Sequence, residues 1–283
     1  MANRVQHQLL ESAARLREAG VDTPLLDAQL LLARVLGCGR LDLIAHPESE
    51  LTEPQLHAYT SLVDQRAARV PLAYILGTRE FFGLEIEVRP GVLVPRPETE
   101  LLVEECLKRV RAERPTIADI GAGSGAIAVA VAVRMPSATV YATDLSPIAL
   151  EVSRANAERH GVADRVKLLA GDLVEPLREL AGEFDAILSN PPYIPSGDIS
   201  ALEPEVSVHE PREALDGGPD GLEVYRRLLP DAIGLLREGG FTAVEVGAGQ
   251  ASDVAEIARG ARCSRTECVR DLAGIERVVV AYR

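Results

Sequence analysis

Tryptophan is missing from this 283-residue chain, and aromatic residues make up only 4% of it. Grooves that stack nucleic-acid bases are built from such side chains, so their scarcity argues against one. Positive charge is also short: 30 Lys and Arg stand against 43 Asp and Glu, a formal net charge of −13. A surface of that sign repels phosphate backbones, and no direct nucleic-acid partner is expected. The four cysteines, Cys38, Cys106, Cys263 and Cys268, are scattered, with no CxxC pair and no histidine at zinc-finger spacing. They read as reduced and structural, with no metal site. The longest apolar run, residues 126–133, falls short of the roughly 20 residues that span a bilayer. The first seven residues, Met1 to His7, lack the basic-then-apolar order of a signal peptide. The expectation is a cytoplasmic monomer with no membrane partner.

What is present describes an ordinary folded protein: 47% hydrophobic and 26% charged residues, in a chain long enough for one large domain and one smaller one. Over residues 5–70 apolar positions recur at helix spacing (Leu9, Leu10, Ala13, Ala14, Leu16, then Leu25 to Leu36), and Thr52-Glu53-Pro54 opens a further helix with a polar cap and an early proline. Residues 1–78 therefore read as a small all-helical domain. The period then changes. Residues 81–88 alternate apolar with polar, and Pro90-Gly91 turns the chain toward Val92-Leu93-Val94, which predicts a β-hairpin linker over 79–97. Arg96 beyond it reads equally as a surface residue or as one facing a site.

From Thr116 strands and helices alternate: strands at 116–120, 139–143, 166–170, 184–189 and 241–246, with helices at 125–134, 147–160, 222–237 and 250–258. Such alternation means an α/β fold, a mostly parallel sheet covered by helices on both faces. Residues 264–270 and 275–282 lie close across a short turn and should pair antiparallel at the end of domain 98–283.

Asp119-Ile120-Gly121-Ala122-Gly123-Ser124-Gly125 follows the first of these strands and opens a helix, where a backbone must approach a ligand closely. The third glycine comes one position too early for the dinucleotide fingerprint. The pattern D-x-G-x-G-x-G instead resembles the first motif of S-adenosylmethionine-dependent methyltransferases. That resemblance implies S-adenosylmethionine as cofactor, with Asp119 near its methionine end and Gly121, Ala122, Gly123, Ser124 and Gly125 passing its ribose and carboxypropyl parts. About 20 residues on, the second strand ends in Asp144, placed to accept ribose hydroxyls. Asp172 and Leu173 after the third strand are placed for the adenine.

The fourth strand runs into Asn190-Pro191-Pro192-Tyr193. Each proline removes a donor and extends the residue before it, so this stretch is rich in acceptors and poor in donors. The Asn190 side-chain oxygen and the Pro191 carbonyl suit a ligand that donates two hydrogens from one nitrogen, and Tyr193 adds a flat wall. An isolated Asn-Pro-Pro serves equally as a strand-end break; here it shares one crevice with the cofactor loop. The motif matches the (N/D)-P-P-(Y/F) signature of amino-directed methyltransferases. With Val94-Pro95-Arg96-Pro97-Glu98-Thr99-Glu100, Glu210-Pro211-Arg212-Glu213-Ala214-Leu215 and Asp216-Gly217-Gly218-Pro219-Asp220-Gly221-Leu222, the chain resembles the PrmC/HemK family of protein-(glutamine) methyltransferases over nearly its whole length. Leu173 stands where some members carry an aromatic residue.

The resemblance implies a Rossmann-like class I methyltransferase domain that methylates the side-chain amide nitrogen of the glutamine in the Gly-Gly-Gln motif of class I peptide-chain release factors. In that role Asn190, Pro191 and Tyr193 are the catalytic residues, Asn190, Pro191, Pro192 and Tyr193 bind substrate, and Asn190 also touches the cofactor. The helical domain would recognise the partner, and residues 194–221 read as a substrate-facing lid. Two rivals stand beside this reading: a nucleic-acid (adenine or guanine) N-methyltransferase, and a non-catalytic nucleotide-binding regulator.

Overall fold

The computed structural model describes residues 3–283, so Met1 and Ala2, within the N-terminal stretch read above as lacking a leader, lie outside it. The chain forms two compact units, one of Met1–Gly77 with Glu203–His209 and one of Thr78–Leu202 with Glu210–Arg283. No helix among the described residues is long and apolar enough to cross a membrane.

The smaller unit is helical: α1 (Val5–Glu18), α2 (Pro24–Leu36), α3 (Arg40–Ala45), α4 (Glu53–Ala67) and α5 (Leu72–Leu76). Their apolar stripes meet in a core around Leu16, Leu31, Leu32 and Tyr59, all fully buried. The expected start at Thr52 is present as a capping box, with the Thr52 amide donating to Gln55 Oε1 at 2.9 Å. The short helix α3 is begun by the Gly39 amide donating to Asp42 Oδ2 at 2.8 Å. The unit also holds a buried ion pair: Arg66 Nε donates to Asp27 Oδ2 at 2.7 Å, with side chains 8% and 4% exposed. Arg66 and Arg69 together grip Glu205, at 2.7 and 2.6 Å, which fixes the returning segment in this unit.

The larger unit opens on a hairpin, but not the expected one. Its strands are β1 (Thr78–Phe81) and β2 (Leu84–Glu87), turned at Phe82-Gly83; residues 92–94 form no strand. Phe82 (φ 54°) and Gly83 (φ 77°) take positive φ at both central positions, the combination whose twist suits a two-residue hairpin loop. Phenylalanine is not a residue that announces such a turn. It is held there by distant partners: Glu100 accepts from the Phe82 amide at 2.8 Å, and Arg134 donates to the Phe82 carbonyl at 2.9 Å while lying over its ring.

After α6 (Glu100–Arg109) come β3 (Thr116–Ile120), α7 (Ala126–Arg134), β4 (Thr139–Asp144), α8 (Pro147–Arg159), β5 (Val166–Ala170) and β6 (Phe184–Ser189). A one-turn helix, α9 (Pro204–Ser207), lies in the segment assigned to the helical unit. Then follow α10 (Glu223–Leu235), β7 (Leu236–Glu245), α11 (Ala251–Gly260), β8 (Arg265–Arg270) and β9 (Glu276–Tyr282). The seven strands lie in the order β5-β4-β3-β6-β7-β9-β8, parallel except for the β9 and β8 pairings, as the alternation predicts. All six residues of β6 are buried, which is why it reads as a mainly apolar run; its one acid, Asp185, accepts from the Thr116 amide at 2.8 Å. Strand order reverses between β3 and β6. The crevice beyond the carboxyl ends of strands at such a switch point is where ligands bind in open α/β sheets.

Candidate active site

The loop after β3 is shaped by three glycines in the left-handed region: Gly121 (φ 75°), Gly123 (φ 55°) and Gly125 (φ 77°). At Gly125 a Cβ would also meet Ser153 Oγ at 2.7 Å, so a glycine there lets α7 start hard against α8. The amides of Gly121 and Ala122 both donate to the Thr143 carbonyl, at 2.9 and 3.0 Å, tying the loop to the end of β4. Asp144 completes the tie, accepting from the Gly123 amide at 2.9 Å and from the Ser146 amide at 2.8 Å. Its two oxygens thus hold the backbone that surrounds the crevice.

A cavity of about 620 Å³ lies over this loop, lined among others by Gly121, Gly123, Asp144, Leu173, Asn190 and Pro191. That volume falls within the range of roughly 300–1,000 Å³ that encloses ligands of cofactor size. No Cβ contact exists within 4 Å at Gly121 or Gly123, so their backbone is open to whatever fills the space. The donor set also fits S-adenosylmethionine: bare backbone at the loop, a carboxylate at the end of β4, and an apolar floor from Ile120 and Leu173.

The sequence-predicted residues divide into two groups. Gly121, Gly123, Asp144, Asp172, Leu173, Asn190, Pro191 and Pro192 line the cavity. Asp119, Ala122, Ser124, Gly125 and Tyr193 are not among its lining residues. Asp119 lies fully buried beneath the loop, where Oδ2 accepts from the Ala128 amide at 3.0 Å and Oδ1 has no partner. Burial, with the nearby Asp144 charge, pushes its carboxyl up to about 7 despite that hydrogen bond. Asp172 is paired with Arg227. Leu173, at φ 49°, accepts from Thr143 Oγ1 through its carbonyl at 2.8 Å.

Tyr193 is turned away from the open wall expected of it. Its hydroxyl donates to Glu245 Oε1 at 3.3 Å, and burial next to that acid raises its pKa far above the ordinary phenol. Gln250 Nε2 donates to the Tyr193 carbonyl at 2.9 Å, and Gly217 and Gly221 crowd its backbone so closely that a Cβ on either would fall within 3 Å of it. Asn190 Nδ2 donates to Thr99 Oγ1 at 3.1 Å, and Thr99 Oγ1 donates to Glu245 Oε2 at 2.6 Å.

Residues 194–221 close at their base: the Ile194 amide donates to the Leu215 carbonyl at 3.0 Å and the Gly217 amide to the Ile194 carbonyl at 2.9 Å. Arg96, left open between surface and site, donates to both oxygens of buried Glu210, at 2.7 and 2.8 Å. That contact pins the loop where it re-enters the larger unit, so that Pro211, Glu213, Ala214 and Asp216 line the cavity. The sequence places Thr99 and Glu210 in family-like motifs without giving either a role, and it does not single out Glu245 or Gln250. For Glu245 a signal existed, since an acid set between Val244 and Val246 in a strand-like stretch is costly to bury without partners.

Comparison with known proteins agrees with this geometry. Residues 8–77 match the family described as PrmC N-terminal domain, and residues 97–219 match the Methyltransferase small domain. The chain is 46% identical over 281 residues to the release factor glutamine methyltransferase of Moorella thermoacetica, covering 99% of this chain and 98% of that one. It is 51% identical over 215 residues to the protein of the same name from Gloeobacter violaceus, covering 75% and 74%. A solved methyltransferase from Pyrococcus furiosus aligns with TM-score 0.52 and 22% identity over 71% of this chain and 89% of that one, which shows the shared fold alone.

Proposed function

The chain belongs to the release factor glutamine methyltransferase family, and on that premise we propose that its crevice binds S-adenosylmethionine and directs methylation of the glutamine amide nitrogen in the Gly-Gly-Gln motif of class I release factors. The observation that carries this reading is one cavity that is lined both by the glycine loop with Asp144 and by Asn190-Pro191. Gly121, Gly123 and Asp144 receive the cofactor directly, with Asp172 and Leu173 at its adenine end. Asp119, Ala122, Ser124 and Gly125 shape the loop from behind. The helical N-terminal domain meets the release factor, and the protein works as a cytoplasmic monomer without contacting nucleic acid.

Bound S-adenosylmethionine supplies an electrophilic methyl group on a sulfonium sulfur. The protein's task is to aim a poor nucleophile, since an amide nitrogen shares its lone pair with the carbonyl. Asn190 Oδ1 and the Pro191 carbonyl accept the two amide hydrogens and point the lone pair toward the cofactor. Two neutral hydrogen bonds contribute about 1 kcal/mol each, whereas fixed orientation contributes about 7–11 kcal/mol. Positioning therefore dominates. No side chain acts as base before transfer: one amide hydrogen leaves to water after the N–C bond forms.

The test is transfer of labelled methyl from S-adenosylmethionine to a purified class I release factor, to the same factor with the motif glutamine replaced, and to DNA and RNA. Label confined to the intact Gly-Gly-Gln motif is the expected result. Label on nucleic acid would select the first rival, and cofactor binding without any methylated product the second.

A further inference from the structure

Behind Asn190 lies a chain of polar groups, Thr99, Glu245 and Tyr193, that are not among the cavity's lining residues. Asn190 Nδ2, Thr99 Oγ1 and Glu245 Oε2 follow one another at 3.1 and 2.6 Å, and Tyr193 donates to the other Glu245 oxygen at 3.3 Å. Thr99 is 4% and Glu245 2% exposed, so neither has water as an alternative partner. They come from sequence positions 146 apart, on the segment before α6 and at the end of β7.

An ionised carboxylate can only accept. Thr99 has one hydroxyl hydrogen, and a buried Glu245 claims it. What Thr99 then turns toward Asn190 is a lone pair, and of the two ends of an amide only the NH2 can meet a lone pair. The asparagine is thereby forced one way round, with Nδ2 to Thr99 and Oδ1 left for the crevice. This logic runs from the chemistry of Glu245 alone and does not depend on telling oxygen from nitrogen in the Asn190 side chain. With the amide reversed, two NH2 groups would face each other across the site, Asn190's and the substrate's, and the clamp would repel what it must hold.

We propose that Thr99 and Glu245 are positioning residues for methyl transfer: together they fix the polarity of the Asn190 amide, so that its oxygen receives the substrate's NH2. The same polarity selects glutamine over glutamate, because Oδ1 repels a carboxylate. Burial raises the Glu245 carboxyl to about 7, against the hydrogen bonds from Thr99 and Tyr193 that lower it. The charged and titratable groups that face it are Glu98 on its own side of Thr99, which raises it, Arg277 on β9, which lowers it, and Tyr193; Arg96 acts on the Tyr193 hydroxyl, and Tyr225 on α10 donates to its backbone carbonyl. A protonated Glu245 could donate to Thr99 instead, which would free the hydroxyl hydrogen for Asn190 and undo the fixed orientation.

This inference rests on the proposed amide methylation, and its test separates the two. If wild-type protein leaves the release factor unmethylated, that reading fails; if wild type methylates it and the variants below do so equally well, only this inference fails. Thr99→Val keeps the shape and removes the hydroxyl, and Thr99→Ser restores it. The expected result is a kcat for release factor methylation lowered roughly 10- to 100-fold in Thr99→Val. S-adenosylmethionine affinity should stay within about twofold, and Thr99→Ser should return kcat to within about threefold of wild type. A Thr99→Val enzyme with kcat within about twofold of wild type, or a serine variant no better than the valine, overturns the proposal. Should Thr99→Val fail to bind cofactor, Glu245→Gln carries the test through its pH profile. Wild-type kcat should fall as pH drops through about 7, and that step should vanish in Glu245→Gln. A step retained unchanged in the variant overturns the proposal.

Discussion

Glu205 in the helical unit and Glu245 in the methyltransferase unit are both largely withdrawn from water, and the protein treats them in opposite ways. Burial alone would raise the Glu205 carboxyl, but hydrogen bonds from Arg69 and Arg66 outweigh it and hold the group below its ordinary value. Among the described residues the Glu245 carboxylate accepts from the hydroxyls of Thr99 and Tyr193 and forms no salt bridge, and burial outweighs these bonds and the Arg277 charge. A carboxylate gripped by two guanidinium groups is anchored by charge and serves to hold a segment in place. One fed by neutral donors keeps its hunger for hydrogen bonds, and that hunger can orient its neighbours.

The contrast is sharpened by variants that attack each carboxylate's surroundings. The largest effect is expected from Arg66→Met, which strands Asp27 and half-frees Glu205. Losing one partner of a pair this buried costs about 3–5 kcal/mol. Hydrogen exchange should show the loss in the helical unit's amides, with cofactor affinity unchanged; exchange at wild-type rates would mean that this grip does not hold the unit. Asn190→Ala should do the reverse. It removes the group that the Glu245 network aims, so kcat should fall about 10²-fold or more, in keeping with the cost of a misplaced reactant. Melting temperature should stay near wild type, and near-normal turnover would refute the clamp.

The smallest effect concerns pH, and its sign differs between the units. Glu245 and Asp119 are raised to about 7 in the fold, above their ordinary 4.5 and 3.8. Between those values the folded state keeps protons that the unfolded chain has lost, so their contribution to stability is fully present at low pH and falls as pH rises toward 7. Glu205 is lowered, so its contribution is present above 4.5 and is lost as pH falls below it. Thermal unfolding of wild type and Glu245→Gln from pH 5 to 8 checks this: the variant should gain roughly 2–4 °C relative to wild type toward pH 8. No relative gain would mean that the buried Glu245 charge carries no penalty.

Sequence reasoning reached the parts of the molecule whose causes are local. A buried parallel strand must be mainly apolar, and β6 is but for Asp185 and Ser189; a loop that passes under a ligand must be glycine-rich, and the one after β3 is. The alternation of periods carried the sheet, and proline chemistry at Asn190-Pro191 carried the acceptor-rich corner. It failed where a conformation is set by partners far along the chain. The Phe82-Gly83 turn is held by Glu100 and Arg134, 18 and 52 residues away. Thr99 stands in the sequence inside a family-like motif with no role of its own, because Glu245, which gives its hydroxyl a direction, lies 146 residues on. Tyr193 reads from sequence as an exposed aromatic face because nothing nearby shows that its hydroxyl has a buried acid to reach.

The excursion of Glu203–His209 into the helical unit has a consequence for anyone who would take the protein apart. The chain crosses between the units three times, after Gly77, after Leu202 and after His209. Cutting the backbone once, after Gly77, separates the two fragments covalently yet leaves residues 203–209 on the later one, with Glu203 and Glu205 still paired with Arg66 and Arg69 of the first. A gene fragment that begins at Thr78 would be expressed with that segment intact and its arginines gone, leaving Glu205, 17% exposed in the whole chain, without the guanidinium groups that hold it. The helical unit is thus completed by a segment from later in the chain, and a truncation reports on a damaged loop as much as on a missing domain.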